Sequence, residues 1–223
     1  MYAFAQRRDT TVVDEPLYGH YLRVSGADHP GRNTILDDLE CDGQHAIDQI
    51  VLGPSESPVR FFKMMAHHLL DLDRAFLEHT VNVILTRDPA EVLPTLTVQV
   101  GTPKLTDTGY DVQVSLYESL TEQGQDIVVL DARELLLDPP GVLEQLCGRL
   151  GLAMDPAMLK WPAGPRDYDG NWAPWWYHNV HKSTGFIPYR PKTEPFPERL
   201  KPLLEVTRPF YQKLYSLAIK AND

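Results

Sequence analysis

The sequence predicts an α/β fold in which a parallel sheet is flanked by helices on both sides. Three observations carry that reading. Short strand candidates alternate with helical patterns along the first two thirds of the chain. Each strand candidate is a nearly continuous apolar run, as expected when helices cover both faces. A hydrophobic content of 43% and a charged content of 23% are ordinary for a globular protein. The 223 residues suit one domain. A chain of this size buries roughly 70% of its unfolded surface, enough for a core without disulfides or metal.

The elements follow in order. Residues 1–8 read as the last turns of a helix, with Arg7 and Arg8 at the end where the dipole favours cations. Residues 10–14, Thr-Thr-Val-Val-Asp, read as a short buried strand ended by Glu15-Pro16. Residues 17–24 suit a helix, and His29-Pro30-Gly31 a loop. A second strand is expected at residues 59–64 and a third, the clearest, at 80–86. The third stops at Arg87-Asp88-Pro89, where Asp88 suits an N-cap and Pro89 the first helical position. A fourth strand is expected at 126–131. Helical patterns lie at 68–77, 90–100 and 107–123. A further helix at 140–150 places Val142, Leu143, Leu146, Cys147 and Leu150 on one face. From residue 154 the pattern changes. A turn-rich stretch at 161–165 precedes three tryptophans within residues 171–177, and a Pro-rich link leads to an amphipathic tail helix at 200–217. The aromatic stretch reads either as a cover over the sheet edge or as an ordinary packed subdomain.

Charge and cysteine usage narrow the function classes. With 21 Lys+Arg against 31 Asp+Glu the formal net charge is −10. That excess argues against nonspecific binding to nucleic acid or an anionic membrane, but not against a local basic pocket for a small anion. Cys41 and Cys147 form neither a metal-ligand spacing nor a disulfide framework, which fits a reducing cytoplasm. No apolar run approaches the roughly 18 residues of a membrane helix, and the order of residues 1–15 is wrong for a secretory signal.

Four groups of residues carry chemistry. A buried strand delivers Arg87 beside a fresh helix N-terminus, where backbone N–H groups and the dipole attract an anion. The Arg fork suits phosphate oxygens, and Thr95 lies two turns on. The alternative is that Arg87 pairs with Asp88 or a nearby carboxylate. Lys63 ends another strand at the carboxyl edge, where open α/β sheets bind ligands. His67 and His68 follow it and suit proton transfer, or capping and solvation; a metal pairing of His67 with Asp71 is the weakest alternative. Asp14-Glu15-Pro16 places a carboxylate at a strand end, where Glu15 orients or deprotonates a hydroxyl, or simply stands as a loop charge. Lys182-Ser183-Thr184-Gly185 combines a cation, two hydroxyls and a glycine that permits close backbone approach.

Together these motifs resemble the sulfotransferase family, the branch of the P-loop nucleotide-binding superfamily that uses 3′-phosphoadenosine 5′-phosphosulfate (PAPS). The match is to a bacterial subgroup and covers most of the chain. It rests on Thr-Val-Val-Asp-Glu-Pro (11–16), Phe-Lys-Met-Met-Ala-His-His (62–68), Leu-Thr-Arg-Asp-Pro (85–89) and Val-Leu-Asp-Ala-Arg (129–133). Met-Leu-Lys-Trp-Pro-Ala-Gly (158–164), Trp-Ala-Pro-Trp-Trp-Tyr (172–177) and Lys-Ser-Thr-Gly-Phe (182–186) extend it. The resemblance implies a P-loop-like three-layer sandwich forming a single domain over 1–223, with an α/β core at 1–153 and an aromatic-rich cover and tail helix at 154–223. It implies PAPS as co-substrate without a metal, and a small-molecule acceptor bearing a hydroxyl.

Residue by residue, Arg87 and Thr95 fall on the family's 3′-phosphate site, with Thr in place of Ser and Pro94 just before it. Lys182, Ser183, Thr184 and Gly185 resemble the late loop that closes over the donor. Lys63 would balance charge on the transferring group. The base falls to His67 or His68, which stand two residues later than the family's pattern, or to Glu15, which resembles the glutamate of some carbohydrate sulfotransferases. Residues 1–8 resemble the second half of the helix after the family's Gly/Ser/Thr-rich loop. The resemblance therefore implies that this sequence lacks the family's first strand and 5′-phosphosulfate loop, either as a fragment or misplaced start or as a truncated pseudoenzyme, and that it is inactive as given. An interior strand missing from a sheet would expose edges and invite self-association. The alternative function is a noncatalytic binding protein that keeps the fold. Trp172, Trp175, Trp176 and Tyr177 either flank an acceptor or belong to the core.

Overall fold

The computed structural model describes residues 1–222. The chain opens with a turn and a 3-10 helix, Phe4–Gln6, where the sequence suggested longer helical turns. Strand β1 is Thr10–Asp14 and helix α1 is Tyr18–Ser25, both as expected within a residue. Helices α2 (Arg32–Asp38) and α3 (Gly43–Ala46, continued by a π-turn over Ile47–Val51) have no counterpart in the sequence reading. Strand β2 is Val59–Lys63 and β3 is Val83–Thr86. Helix α4 is Pro89–Val100 and α5 is Tyr110–Glu122. Strand β4 is Val128–Asp131, followed by α6 (Ala132–Leu137), α7 (Pro139–Arg149), α8 (Ala173–Trp176) and α9 (Lys201–Leu217).

The expected helix at 68–77 does not form. Two 3-10 helices, Ala66–Leu69 and Ala75–His79, replace it. Between them Asp71 has φ +53°, and the Asp73 carboxylate accepts the Ala75 N–H at 3.0 Å. Short acidic side chains offer the backbone local bonds that compete with a helix, whatever the apolar spacing suggests. His67 and Asp71 are therefore not one helical turn apart.

The strands pair in parallel as expected, as two two-stranded sheets. The first belongs to a unit made of Met1–His79 and Asp155–Phe186. There β1 pairs with β2, in register from Thr10 with Val59 to Asp14 with Lys63. The core of this unit gathers Tyr18, Tyr21, Leu22, Ile35, Trp172, Ala173 and Tyr177, so the aromatic stretch packs into it. Phe4 stacks on Phe61 of β2, ring centroids 4.4 Å apart. Gly31 shows why its loop needs glycine: φ is +75°, and a Cβ would lie 2.3 Å from the Trp175 ring.

The second unit is Thr80–Met154 with Ile187–Asp223. There β3 pairs with β4, from Val83 with Val128 to Thr86 with Asp131. All four residues of β4 are buried, whereas β3 alternates, with Ile84 and Thr86 inside and Val83 and Leu85 outside. Asp88 caps α4 by accepting the Ala90 N–H at 2.8 Å, and Pro89 takes the first turn, as the sequence indicates. Helix α9 packs against α4, α5 and β4. Leu93 of α4 meets Leu200 and Leu204 at its apolar seam. The α7 face buries Val142, Leu143, Leu146 and Cys147. Neither Cys41 nor Cys147 is joined in a disulfide. Among the described residues no helix is long and apolar enough to cross a membrane.

Leu93 is 0% exposed, so its truncation leaves a cavity between α4 and the tail helix. Leu93→Ala is expected to lower the unfolding free energy by about 2–5 kcal/mol, read from the shift of the urea midpoint at unchanged slope. A loss below about 1 kcal/mol would contradict that packing.

Candidate functional site

The parallel register of β1 and β2 ends with Asp14 opposite Lys63, so both strands deliver charged side chains to one carboxyl edge. The next residue, Glu15, extends the ladder by one bond: its N–H donates to the Lys63 carbonyl at 2.8 Å. Glu15 then turns with φ +40°, in the left-handed region that non-glycine residues rarely occupy. Pro16 follows at once, and the Glu15 carbonyl accepts the Tyr18 N–H at 3.0 Å, which starts α1. The turn aims the Glu15 side chain back along the sheet edge.

Four side chains meet there. The Lys63 ammonium donates to Glu15 Oε1 and, at 2.9 Å, to the Tyr177 hydroxyl, and lies 3.3 Å from Asp14 Oδ1. The Tyr177 hydroxyl donates onward to the Asp14 carboxylate, 2.7 Å from Oδ2 and 2.8 Å from Oδ1. Asp14 Oδ2 also accepts the Gly170 N–H at 3.2 Å. A chain of hydrogen bonds thus runs from the half-buried ammonium through a phenol to a buried carboxylate.

The charges are set by this packing. Burial pushes Glu15 above the ordinary carboxylate value; Lys63 pulls it back, and Asp14 adds to the rise. For Lys63 burial is the largest single influence and lowers its pKa, but the Glu15 and Asp14 charges together outweigh it, so the net direction is upward. Lys63 therefore stays an ammonium, while Glu15 is a stronger base than a solvated carboxylate. Tyr177 is held as the neutral phenol, first by burial and then by Glu15 and Asp14.

The structure separates the two candidate histidines. His68 is 2% exposed and is stacked against Tyr18 and Tyr21, with ring centroids at 5.0 and 4.5 Å. Its Nδ1 lies 3.8 Å from Glu15 Oε2, beyond hydrogen-bond length, and has no bonded partner. Burial holds His68 well below its ordinary pKa, and His67, Lys63, His29 and His20 add to the effect. Its ring is neutral and turned towards Glu15. His67 meets the edges of the His68 and Tyr21 rings instead.

The second unit holds the other predicted group. Arg87 follows β3 and pairs with Glu91 one turn into α4: Nε and Nη2 each lie 2.9 Å from Glu91 Oε2. The carboxylate alternative is thus realised, through Glu91, while Asp88 serves as cap. Helix α4 continues through Pro94, which has no N–H to donate. Just beyond, the Thr95 hydroxyl donates to the Glu91 carbonyl at 3.3 Å. Lys192 arrives from the Pro-rich link and donates to the same carbonyl at 2.9 Å and to Thr95 Oγ1 at 3.1 Å. Tyr189 donates to Glu91 Oε1 at 2.7 Å, and the Arg133 guanidinium sits 5.5 Å from the Tyr189 ring centroid. Arg87 and Tyr189 thus hold the Glu91 carboxylate, while Thr95 and Lys192 meet its backbone carbonyl.

The Lys182–Gly185 segment belongs to the first unit and is tied to Trp161. The Ser183 hydroxyl donates to the Val180 carbonyl at 2.7 Å and accepts from Trp161 Nε1 at 2.9 Å. The Thr184 carbonyl accepts the Trp161 N–H at 3.2 Å. Gly185 pairs with Lys160 in an antiparallel bridge, where a Cβ would lie 2.8 Å from the Leu159 carbonyl. Lys182 is exposed, its backbone N–H donating to the Asn179 carbonyl.

Glu91 and Lys192 escaped the sequence reading of the sites, which had Asp14 only as part of the Asp14-Glu15-Pro16 group and Tyr177 only as an acceptor flank or core residue. Asp14 and Glu91 were visible as neighbours of named residues, at the strand end and one helical turn from Arg87. Tyr177 lay inside an aromatic run with no periodic signal, and Lys192 inside a Pro-rich link whose path no local pattern reveals.

A family model described as a sulfotransferase domain matches residues 1–218. Branched-chain-amino-acid aminotransferase-like protein 1 of Arabidopsis thaliana is 39% identical over 217 residues, which is 97% of this chain and 39% of that protein. Branched-chain-amino-acid aminotransferase-like protein 2 of the same plant is 38% identical over 215 residues, 96% of this chain and 38% of the relative. The chain thus spans about two fifths of the length of these curated relatives. Among solved structures, the sulfotransferase domain from the curacin biosynthetic pathway is 16% identical with a TM-score of 0.45, covering 89% of this chain and 78% of that one. The sulfotransferase domain from the Synechococcus PCC 7002 olefin synthase is 14% identical with a TM-score of 0.42, covering 89% and 93%.

The buried neutral His68 makes stability depend on pH. Its folded pKa is depressed, so the unfolded chain binds the extra proton below the ordinary histidine value of about 6.5. His68's contribution is complete above that value and is lost as pH falls towards the folded-state value. Relative to His68→Phe, which keeps the stacking, the native chain should lose about 1.4 kcal/mol per pH unit below about pH 6.5. Urea melts of both proteins between pH 7.5 and 5 check this, and parallel curves would refute the assignment.

Proposed function

Because the chain belongs to the sulfotransferase domain family, we propose that it transfers a sulfuryl group from PAPS to the hydroxyl of a small-molecule acceptor. We take residues 1–223 as one functional domain, a reading supported by the span of the family match over 1–218. The single observation that carries the proposal is the Lys63–Glu15 pair at the carboxyl edge of β1 and β2.

The donor supplies an activated sulfuryl group whose bond to the leaving phosphate breaks as the acceptor oxygen bonds to sulfur. This chain's residues supply the rest. Glu15 takes the acceptor's proton: it is buried, more basic than an ordinary carboxylate, and fixed by a strained turn. Lys63 stays charged and offsets the negative charge that spreads over the sulfuryl oxygens and the leaving group. Tyr177 and Asp14 hold the ammonium in place. His68 sits behind Glu15 as a neutral ring that limits where the carboxylate can turn.

The donor set around α4 suits a phosphorylated nucleotide. Arg87 offers a planar fork, Thr95 a hydroxyl and Lys192 an ammonium, all on or against the first turns of a helix. In this reading they hold the 3′-phosphate. The Lys182–Gly185 segment remains a candidate for donor contact through Lys182 and the Thr184 hydroxyl, since Ser183 is committed to Trp161 and Val180.

Two measurements test the reading. Titration with adenosine 3′,5′-bisphosphate should raise the melting temperature of the native chain, and no shift at millimolar nucleotide would count against the nucleotide site. In a sulfuryl-transfer assay with PAPS, on a chain extended to include the 5′-phosphosulfate loop, Lys63→Ala should lower kcat by roughly 10²–10³ while the nucleotide-induced shift persists. Unchanged turnover would remove Lys63 from the chemistry.

A further inference from the structure

The pairing of Arg87 with Glu91 has a consequence for donor affinity, resting on the reading of Arg87 as a phosphate ligand. The guanidinium spends both Nε and Nη2 on one oxygen of Glu91. The other oxygen of Glu91 is held by the Tyr189 hydroxyl. The Glu91 side chain is 13% exposed and the Arg87 side chain 47%, so the carboxylate is the fixed member of the pair and the arginine the open one. We infer that Glu91 is an internal competitor for the Arg87 fork, which a nucleotide must displace and which only a nucleotide carrying a 3′-phosphate displaces.

An i,i+4 ion pair whose arginine is half in water is a weak interaction, because solvent screens it. A phosphate near neutral pH carries close to two negative charges and three strong acceptor oxygens, against one charge on the carboxylate. It can therefore take the fork. A nucleotide without that phosphate brings nothing to exchange for the existing pair. Thr95 on the helix and Lys192 packed against it from the Pro-rich link stand beside the pair, where they add donors to an anion that has replaced the carboxylate. The like charge of Glu91 acts against an arriving dianion more than against a nucleotide that lacks it, so the pair holds the affinity for the bisphosphate below what Arg87 alone would give.

The test is a double-mutant cycle read by calorimetric titration. Adenosine 3′,5′-bisphosphate and adenosine 5′-monophosphate are titrated into the native chain, Glu91→Gln, Arg87→Ala and the double variant. Gln keeps an acceptor for Tyr189 while removing the charge. The expected result is that Glu91→Gln tightens the bisphosphate by about tenfold, leaves the monophosphate unchanged, and loses this gain when Arg87 is absent. Thermal melts confirm folding, and Arg87→Gln replaces Arg87→Ala if the latter is unstable. If Arg87→Ala weakens the bisphosphate but Glu91→Gln does not tighten it, or the gain survives without Arg87, the competitor role is overturned and the nucleotide site stands. If the bisphosphate binds none of the four proteins, or binds the native chain and Arg87→Ala equally, the nucleotide reading falls and the competitor role falls with it.

Discussion

Lys63 is the charge on which the first sheet's edge is organised. Two carboxylates at adjacent positions, Asp14 and Glu15, are buried at the end of β1. Without a cation between them, like charges in a poorly solvated site would force one to neutralise. The parallel register supplies that cation directly opposite Asp14. The Tyr177 hydroxyl completes the set by accepting from the ammonium and donating to Asp14, so every strong polar group of the quartet has a partner. Removing the lysine would leave two buried carboxylates without their counterion.

The aromatic stretch takes its place from this arrangement. Trp172, Ala173 and Tyr177 lie in one core with Tyr18, Tyr21, Leu22 and Ile35, which shows packing as the main role of the run. Tyr177 is the member that also reaches polar partners, its ring 5.2 Å from the Lys63 ammonium and its hydroxyl in the hydrogen-bond chain. An aromatic side chain with a polar tip suits such a boundary between an apolar core and a charged edge. His68 marks the other side of it, its ring stacked among tyrosines and its Nδ1 turned to Glu15.

Much of this was legible in the sequence, for local reasons. The strand ends at Asp14, Lys63, Thr86 and Asp131 follow from apolar runs that stop at charged or turn residues, and the Asp88-Pro89 start of α4 follows from capping chemistry. Glu15, Lys63 and His68 were each named from their position after a strand, and the structure brings them together. The helix at 68–77 failed because apolar spacing was weighed without the competing Asp71 and Asp73 carboxylates. Helices α2 and α3 escaped because Gly31 with positive φ, and a start capped only by Asp42, give weak local signals. Tyr177 and Lys192 are separated from their partners by 114 and about a hundred residues, respectively, a distance over which no periodicity reports.

The left-handed backbone at Glu15 has one more implication. A non-glycine residue there is costly by about 1–3 kcal/mol, and that expense is met by the ladder bond to Lys63, by Pro16 and by the first turn of α1. The carboxylate is consequently immobilised when the chain folds rather than when a ligand arrives. A guest reaching this edge meets a side chain whose rotational freedom has already been surrendered, so its association carries a smaller entropic penalty at that position.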